Sequence, residues 1–224
     1  MRTEVPPHIN GTGCQSKEVR DDQPVATARD DRDRPGRPPV TSRAELEQVA
    51  LDLFVRNGFT ATTVEDIAVA AGISRRTFFR YYASKNDVVW GDFGVLLHGM
   101  DEWLTNTPDN IPLLRALKEA VIRFNALPPE AVPAHRQRMS LILHVPALQA
   151  HSTLRYADWR DVVARFAARR LALPVGALLP QMVGHLALGT AVAAYEQWLS
   201  DESADLATLL DASFDALDIR FTSG

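Results

Sequence analysis

From residue 41 onward, apolar residues recur at the spacing of an amphipathic helix rather than that of a strand. Leu46, Val49 and Phe54 lie three or more positions apart and predict one buried helix face. Gly58 marks the end of that helix. Prolines divide the rest of the chain into further helical segments, and no alternating pattern of useful strand length is present. The pattern predicts an all-α fold.

Two short helical segments joined by a glycine turn come next. Thr62 or Thr63 can cap the first segment, which carries an acidic residue at its third helical position. Gly72 ends that segment, and Ser74 caps a second one over residues 75–82. Two short helices joined by such a turn predict a helix-turn-helix.

The second helix of this motif carries side chains suited to reading DNA. Arg75, Arg76 and Thr77 lie at its N-terminal end, which is the end that enters the major groove in helix-turn-helix proteins. Arginine can pair with both acceptors of a guanine edge. The formal net charge of the chain is −4, but no acidic residue lies between Asp66 and Asp87, so this stretch is locally basic. Two arginines on a short helix also occur on ordinary solvated faces; the caps, turn glycine and apolar spacing together favour DNA binding.

The remaining side chains of this helix divide between the core and the DNA. Phe78 and Tyr82 lie four positions apart and should face the core. The side chains left toward the DNA backbone are Phe79, Arg80, Tyr81 and, in the next helix, Lys85.

Residues 43–90 resemble the N-terminal domain of TetR-type (AcrR-like) regulators. The positions that carry the resemblance are Gly58, Thr62, Ile67, Ala68, Ala71, Gly72, Ser74, Thr77, Tyr82, Ser84 and Lys85. The resemblance implies phosphate contacts from Thr62, Thr77, Tyr81 and Lys85, and places Arg75, Arg76 and Phe79 on or near the bases. Phe79 stands where the family usually has Tyr, and Arg76 where it commonly has a small residue. Residues 74–93 further resemble TetR-type regulators associated with the mycofactocin system of actinobacteria.

Residues 91–224 are predicted to form a helical bundle for ligand binding and dimerisation. The resemblance implies that segments 178–199 and 206–221 pair with their copies in a second subunit; packing within one chain is the alternative. The candidate pocket residues are Trp90, Phe93, Trp103, Phe124, Met139, Leu143, His144, Trp159, Phe166 and His185. The arginines that could anchor an anionic head group near them are Arg123, Arg136, Arg138 and Arg155.

Composition limits the location of the protein and its other functions. Residues 1–40 read as a disordered tail rather than a basic arm for the minor groove. A single cysteine, no signal peptide and no apolar run of about 20 residues predict a cytoplasmic protein with no membrane segment. The scattered histidines and missing nucleophile motifs predict no catalytic site, metal or cofactor, hence no enzyme.

The sequence therefore predicts three regions: the tail 1–40, a DNA-binding domain over residues 41–90 and a ligand-binding and dimerisation domain over residues 91–224. The expected function is that of a homodimeric regulator on a palindromic operator in double-stranded DNA. A hydrophobic effector, such as a long-chain acyl-CoA, would release it from nearby genes. The alternative is a DNA-binding protein that senses no small molecule and is controlled by a protein partner.

Overall fold

The computed structural model describes residues 42–217, and every regular element in that range is helical. The all-α prediction is confirmed for this range. The predictions for the tail 1–40 and for the last residues of segment 206–221 lie outside the described residues. A short 3-10 turn, Pro129–Ala131, separates the sixth helix from the seventh. The α-helices are α1 Arg43–Asn57, α2 Val64–Ala70, α3 Arg75–Tyr81, α4 Lys85–Trp90, α5 Phe93–Asn106, α6 Leu113–Phe124, α7 Val132–His144, α8 Pro146–Leu171, α9 Leu178–Ser200 and α10 Leu206–Leu217.

Helices α2 and α3 form the predicted helix-turn-helix. At the start of α2, the Thr63 N–H donates to the Asp66 carboxylate at 2.8 Å and the Asp66 N–H donates to the Thr63 hydroxyl at 3.1 Å. Gly72 occupies the turn with φ of 67°, in the left-handed region that favours glycine. The Ser74 hydroxyl accepts from the Thr77 N–H at 3.1 Å and starts α3. Local capping thus fixes where both helices begin.

The inner face of α3 is anchored by aromatic residues. Phe78 and Tyr82 are buried, as predicted, and their ring centroids lie 6.1 Å apart. Phe54 of α1 packs on Phe59 at 4.9 Å within the same core. Because Phe78 points inward, the opposite face of α3 is turned to solvent.

The last three helices pack closely along one another. A Cβ on Gly184 of α9 would lie 3.0 Å from the carbonyl oxygen of Arg160 in α8, so the close approach there depends on glycine. In α10, the residues buried within this chain are Leu206, Leu210 and Phe214. These residues of segment 206–221, which was predicted to pair with a second subunit, are therefore buried inside one chain, because α10 lies against α6 and α9.

Helix α9 differs from the expectation that no segment could span a membrane. Within residues 42–217 it is the one helix long and apolar enough to do so, by length and composition alone. One of its faces is buried through small residues, among them Gly184, Ala187, Ala191 and Ala194. Its other face leaves large apolar side chains exposed: Leu178, Leu179, Met182 and Leu186. A helix with one face in a bundle passes the same composition test as a membrane span.

Candidate DNA-binding surface and effector cavity

The exposed face of α3 carries a row of cationic and aromatic side chains. Arg75 is paired with Glu65 of α2 at 2.5 Å, and its guanidinium lies 5.4 Å from the centre of the Phe79 ring. Arg76 is exposed and makes no ion pair within the described residues. Arg80 lies over the ring of Tyr81 at 5.3 Å. The exposed arginines Arg75, Arg76 and Arg80 make this face of α3 positively charged.

Thr62 does not lie on that surface, and its predicted phosphate contact is wrong. The residue is 1% exposed, and its hydroxyl donates to the Gly58 carbonyl at 2.9 Å. The hydroxyl is thereby satisfied by the backbone of the loop before α2, so it closes this loop rather than facing a ligand.

Lys85 is hydrogen-bonded within the protein to the loop before α2, and the phosphate contact implied for it stays a prediction. Its ammonium group donates to the carbonyls of Phe59 and Thr62, each at 2.8 Å, and more weakly to that of Thr60 at 3.4 Å. It also lies 4.5 Å from the centre of the Phe59 ring. Burial lowers the pKa of the Lys85 ammonium. An ammonium has three donors, and all three are directed at the same loop.

A cavity of about 410 Å³ lies between the helices of the C-terminal part, and Glu47 of α1 is among its lining residues. Five of the ten predicted pocket residues line it: Trp90, Phe93, Phe124, Met139 and Trp159. Further apolar wall comes from Val89, Leu96, Leu127, Ile142, Leu188 and Val192. The volume and the predominantly apolar wall are those of a small-molecule site.

The other five predicted pocket residues lie elsewhere. Phe166 is fully buried in the core, and Trp103 is covered by the guanidinium of Arg123 at 5.4 Å. His144 is exposed and bonded to the Ser140 carbonyl at 3.0 Å. The remaining two are Leu143, which is half-buried, and His185, which is exposed on α9. Helical spacing showed that these side chains belong to helices, but not which neighbour each helix face meets.

Of the four arginines suggested as anion anchors, only Arg138 lines the cavity. Arg136 donates to the Asp201 carbonyl at 2.9 Å, and Arg155 pairs with Asp87 at 3.1 Å. Arg123 lies over Trp103, outside the cavity lining. The positive charge of the cavity therefore comes from a single helix, α7.

One wall of the cavity is a hydrogen-bonded chain that sequence reasoning missed. The Asn125 amide N–H donates to the Val121 carbonyl at 2.8 Å, which leaves its oxygen to accept from the Tyr195 hydroxyl at 2.6 Å. Since that hydroxyl has only one proton, His135 Nε2 must donate to it across 2.8 Å. Burial, aided by the nearby Arg138 charge, lowers the pKa of His135 to about 4, so the imidazole is neutral at pH 7.

A second polar wall joins the cavity to the DNA-binding helices. Arg138 of α7 donates to Glu47 Oε2 in α1 at 2.7 Å. The other oxygen of Glu47 accepts a short hydrogen bond from the hydroxyl of Tyr82, the residue at the end of α3. Arg43 donates to the same hydroxyl at 2.9 Å, and burial together with the Glu47 bond raises the pKa of Tyr82. No local sequence signal marks this network, because Glu47 and Arg138 look like ordinary solvated charges on their own helices.

Gly91, directly after α4, packs against this ion pair. Its φ is 50°, and a Cβ there would lie 2.8 Å from Glu47 Oε2 and would also overlap the Arg138 guanidinium. The backbone conformation at positive φ favours glycine here, and a Cβ would also displace the ends of the Arg138 and Glu47 side chains. The end of α4, the helix between the two functional regions, is fitted closely to the Glu47–Arg138 contact.

Comparisons with known proteins agree with both regions. A profile of bacterial regulatory proteins of the TetR family matches residues 48–89, and a profile of the MftR C-terminal domain matches residues 111–222. The chain is 46% identical over 184 residues to a candidate mycofactocin biosynthesis transcriptional regulator, MftR, of Mycobacterium tuberculosis. That match covers 82% of this chain and 93% of the relative.

Solved structures show the same fold at low sequence identity. The transcriptional regulator FadR from Bacillus subtilis, in complex with stearoyl-CoA, is 15% identical with a TM-score of 0.56 and covers 79% of this chain and 97% of its own. FadR from Thermus thermophilus, a repressor in complex with lauroyl-CoA, is 21% identical with a TM-score of 0.50. The match covers 79% of this chain and 93% of that FadR chain. The matched families and relatives are transcriptional regulators and not enzymes. The chain belongs to the TetR family of bacterial regulatory proteins.

Proposed function

We propose that this transcriptional regulator is a homodimeric repressor that a hydrophobic effector releases from a palindromic operator. The observation that carries the proposal is the 410 Å³ cavity, which lies in the ligand-binding region and reaches α1 of the DNA-binding domain. A site in that position can bias the orientation of the reading helices, and effector coupling in such proteins is typically ~1–3 kcal/mol.

The operator contacts are assigned to the exposed face of α3. Arg75 and Arg76 would read base edges from the N-terminal end of the helix, and Thr77 would meet phosphate or a thymine methyl group. Phe79, Arg80 and Tyr81 would lie along the DNA backbone. Arg75 must exchange Glu65 for a base or a phosphate, whereas Arg76 is unpaired within the described residues.

The contact with the second subunit is assigned to the exposed apolar face of α9. Leu178 is 77% exposed and Leu186 53%, and Met182 lies between them on the same face. An apolar stripe of this kind is stable in water only when another surface covers it. A two-fold dimer formed there would also present two copies of α3 about 34–36 Å apart, one turn of DNA.

A long-chain acyl-CoA is the proposed effector class. The cavity wall is built mainly of aromatic and aliphatic side chains, which suits an acyl chain. Two FadR proteins with the same fold were solved with stearoyl-CoA and lauroyl-CoA, which supports the choice without deciding it. The similarity to the MftR of Mycobacterium tuberculosis makes a mycofactocin-type gene cluster the first place to look for targets.

The alternative is control by a protein partner without small-molecule sensing. That alternative predicts a solid ligand-binding region, and the cavity argues against it. We retain, as part of the proposal, a cytoplasmic location and the division into a tail 1–40, a DNA-binding domain 41–90 and a C-terminal domain 91–224.

A gel-shift experiment tests the proposal directly. The purified full-length chain is mixed with DNA from upstream of its own gene, with an unrelated sequence as competitor, and titrated with stearoyl-CoA or dodecanoyl-CoA. Selective binding that either thioester releases is the expected result. Selective binding that no acyl-CoA affects would favour partner control, and the absence of selective binding to any nearby promoter would rule out a local repressor.

A further inference from the structure

We propose that the effector carries an anionic oxygen group, and that this group competes with Glu47 for the guanidinium of Arg138. The inference rests on the proposed function, because it specifies the ligand chemistry of the same cavity. It also names the contact through which occupancy reaches the DNA-binding helices.

Arg138 is the only cationic side chain that lines the cavity among the residues described. The other basic group, His135, is neutral at pH 7, because burial lowers its pKa to about 4. Within the described chain, the guanidinium makes a single hydrogen bond, from Nη2 to Glu47 Oε2. A guanidinium has five N–H donors, so most of its capacity is available to an incoming oxygen.

The rest of the cavity wall is mainly aromatic and aliphatic, which suits the apolar body of a ligand. The ligand chemistry is therefore an apolar body with an anionic oxygen, which either a fatty carboxylate or the phosphates of an acyl thioester can supply.

Competition for Arg138 has a structural consequence at the reading helix. The side chains of Arg138 and Glu47 are 21% and 12% exposed, so the pair is screened only weakly by water. Glu47 also holds Tyr82 at the end of α3. When a ligand takes Arg138, Glu47 keeps its bond to Tyr82 but loses its link to α7. The tie between the ligand-binding helices and α3 is then released.

The test compares three probes with the same chain length: sodium dodecanoate, dodecanoyl-CoA and the uncharged 1-dodecanol. Their Kd values are measured on the full-length wild type, and on Arg138→Gln, Glu47→Gln and Arg115→Gln. Arg115 is an exposed arginine paired with Glu119 at 3.1 Å and does not line the cavity, so it is the matched control. Circular dichroism verifies that each variant is folded.

Replacement of Arg138 and replacement of Glu47 are expected to change anion binding in opposite directions. On the wild type, at least one anionic probe binds about ten- to a hundredfold tighter than 1-dodecanol. Arg138→Gln removes that preference, whereas Glu47→Gln makes the anion bind tighter than on the wild type because the competitor is gone. The Arg115→Gln variant behaves as the wild type does. Preference for dodecanoate identifies a carboxylate, and preference for dodecanoyl-CoA alone identifies the phosphates.

Two results would overturn the inference: equal binding of all three probes to the wild type, or weaker anion binding by Glu47→Gln. If a variant fails to fold, the three probes are compared on the wild type and on Arg138→Lys, which keeps the positive charge. These two proteins then decide whether the charge at position 138 binds the anion. Operator gel shifts separate this failure from that of the proposed function. If charged and uncharged probes release the wild type from the operator equally well, only the Arg138 assignment is contradicted. If the wild type does not bind the operator at all, the proposed function itself is contradicted.

Discussion

The two arginines at the start of α3 are equivalent in sequence but not in structure. Arg75 is held by Glu65 at 2.5 Å and stacks on Phe79, while Arg76 is exposed and unpaired within the described range. An arginine that must leave a carboxylate before it reaches DNA contributes less to net binding, because the broken ion pair offsets part of the new contact. We therefore expect Arg76 to contribute more to base reading than Arg75.

Replacement of these residues by alanine tests that difference. Arg76→Ala is expected to cost about 1–3 kcal/mol of operator affinity and to relax specificity at one base pair. Arg75→Ala should cost less, and Glu65→Gln should strengthen binding because it frees Arg75. Gel shifts on the operator and on single-base variants measure both quantities, with Arg115→Ala as the control. A uniform loss across all sequences would show that the side chain touches only phosphate.

His135 makes stability depend on pH in a way that one variant can isolate. Its pKa is about 4 in the folded chain, below its ordinary value of 6.5, because burial and the charge of Arg138 oppose protonation. The unfolded chain therefore binds the proton first as pH falls, so stability is lost below about pH 6.5. Between pH 7 and pH 5 the loss is about 2 kcal/mol.

The variant His135→Gln keeps a donor for Tyr195 but does not titrate. The free energy of unfolding is measured with denaturant at pH 7 and at pH 5. Its decrease between the two pH values should be about 2 kcal/mol larger for the wild type than for the variant. The difference between the two proteins removes the contribution of the carboxylates, which both share. Equal pH dependence of wild type and variant would mean that His135 is protonated as readily in the folded state as in the unfolded one.

At the scale of helices, sequence reasoning succeeds where the signal is local. Ser74 caps α3 as predicted, and Phe78 and Tyr82 face the core, because caps and helical spacing are read from neighbouring residues. Thr62 was misplaced because its burial depends on the loop that folds over it. Half of the predicted cavity residues were misplaced for a related reason, since the partner of each helix face is set by the tertiary arrangement.

The exposed face of α9 provides a test at this scale. Leu186→Glu places a charge within the apolar stripe, so the proposed dimer should dissociate to monomers and bind the operator more weakly. Sedimentation velocity measures the oligomeric state at several concentrations. Val95→Glu, at another exposed apolar position, is the control and should remain dimeric. A Leu186→Glu protein that stays dimeric would place the interface on a different surface.

In the molecule as a whole, α1, α4 and α7 meet at one junction. Glu47 and Arg138 cross it, Gly91 packs on them, and Asp87 of α4 is tied to α8 by Arg155 at 3.1 Å and His151 at 3.3 Å. The sequence could not predict this junction, because Glu47 and Arg138 are 91 positions apart and no local pattern around either residue indicates its partner. Only the folded chain brings them together.

Gly91→Ala tests how tightly this junction is fitted. The substitution adds a Cβ at positive φ and beside the ion pair, so unfolding should become easier by about 1–2 kcal/mol, with a lower Tm. Gly94→Ala is the matched control: it lies three residues away in α5 with open space around it, so alanine should raise stability slightly through its helix propensity. The Tm of each variant is measured by thermal unfolding. Equal Tm values for Gly91→Ala and Gly94→Ala would show that the junction accommodates the added Cβ without loss of stability.

The position of Glu47 also bears on how freely such regulators exchange parts. Because Glu47 of the first helix lines the cavity, a DNA-binding domain taken from another regulator would change the residues that line it. A chimaera that keeps α3 but takes α1 from another regulator would lose the carboxylate that faces Arg138. In this chain, the boundary that matters for recombination runs through α1 and not between the two domains.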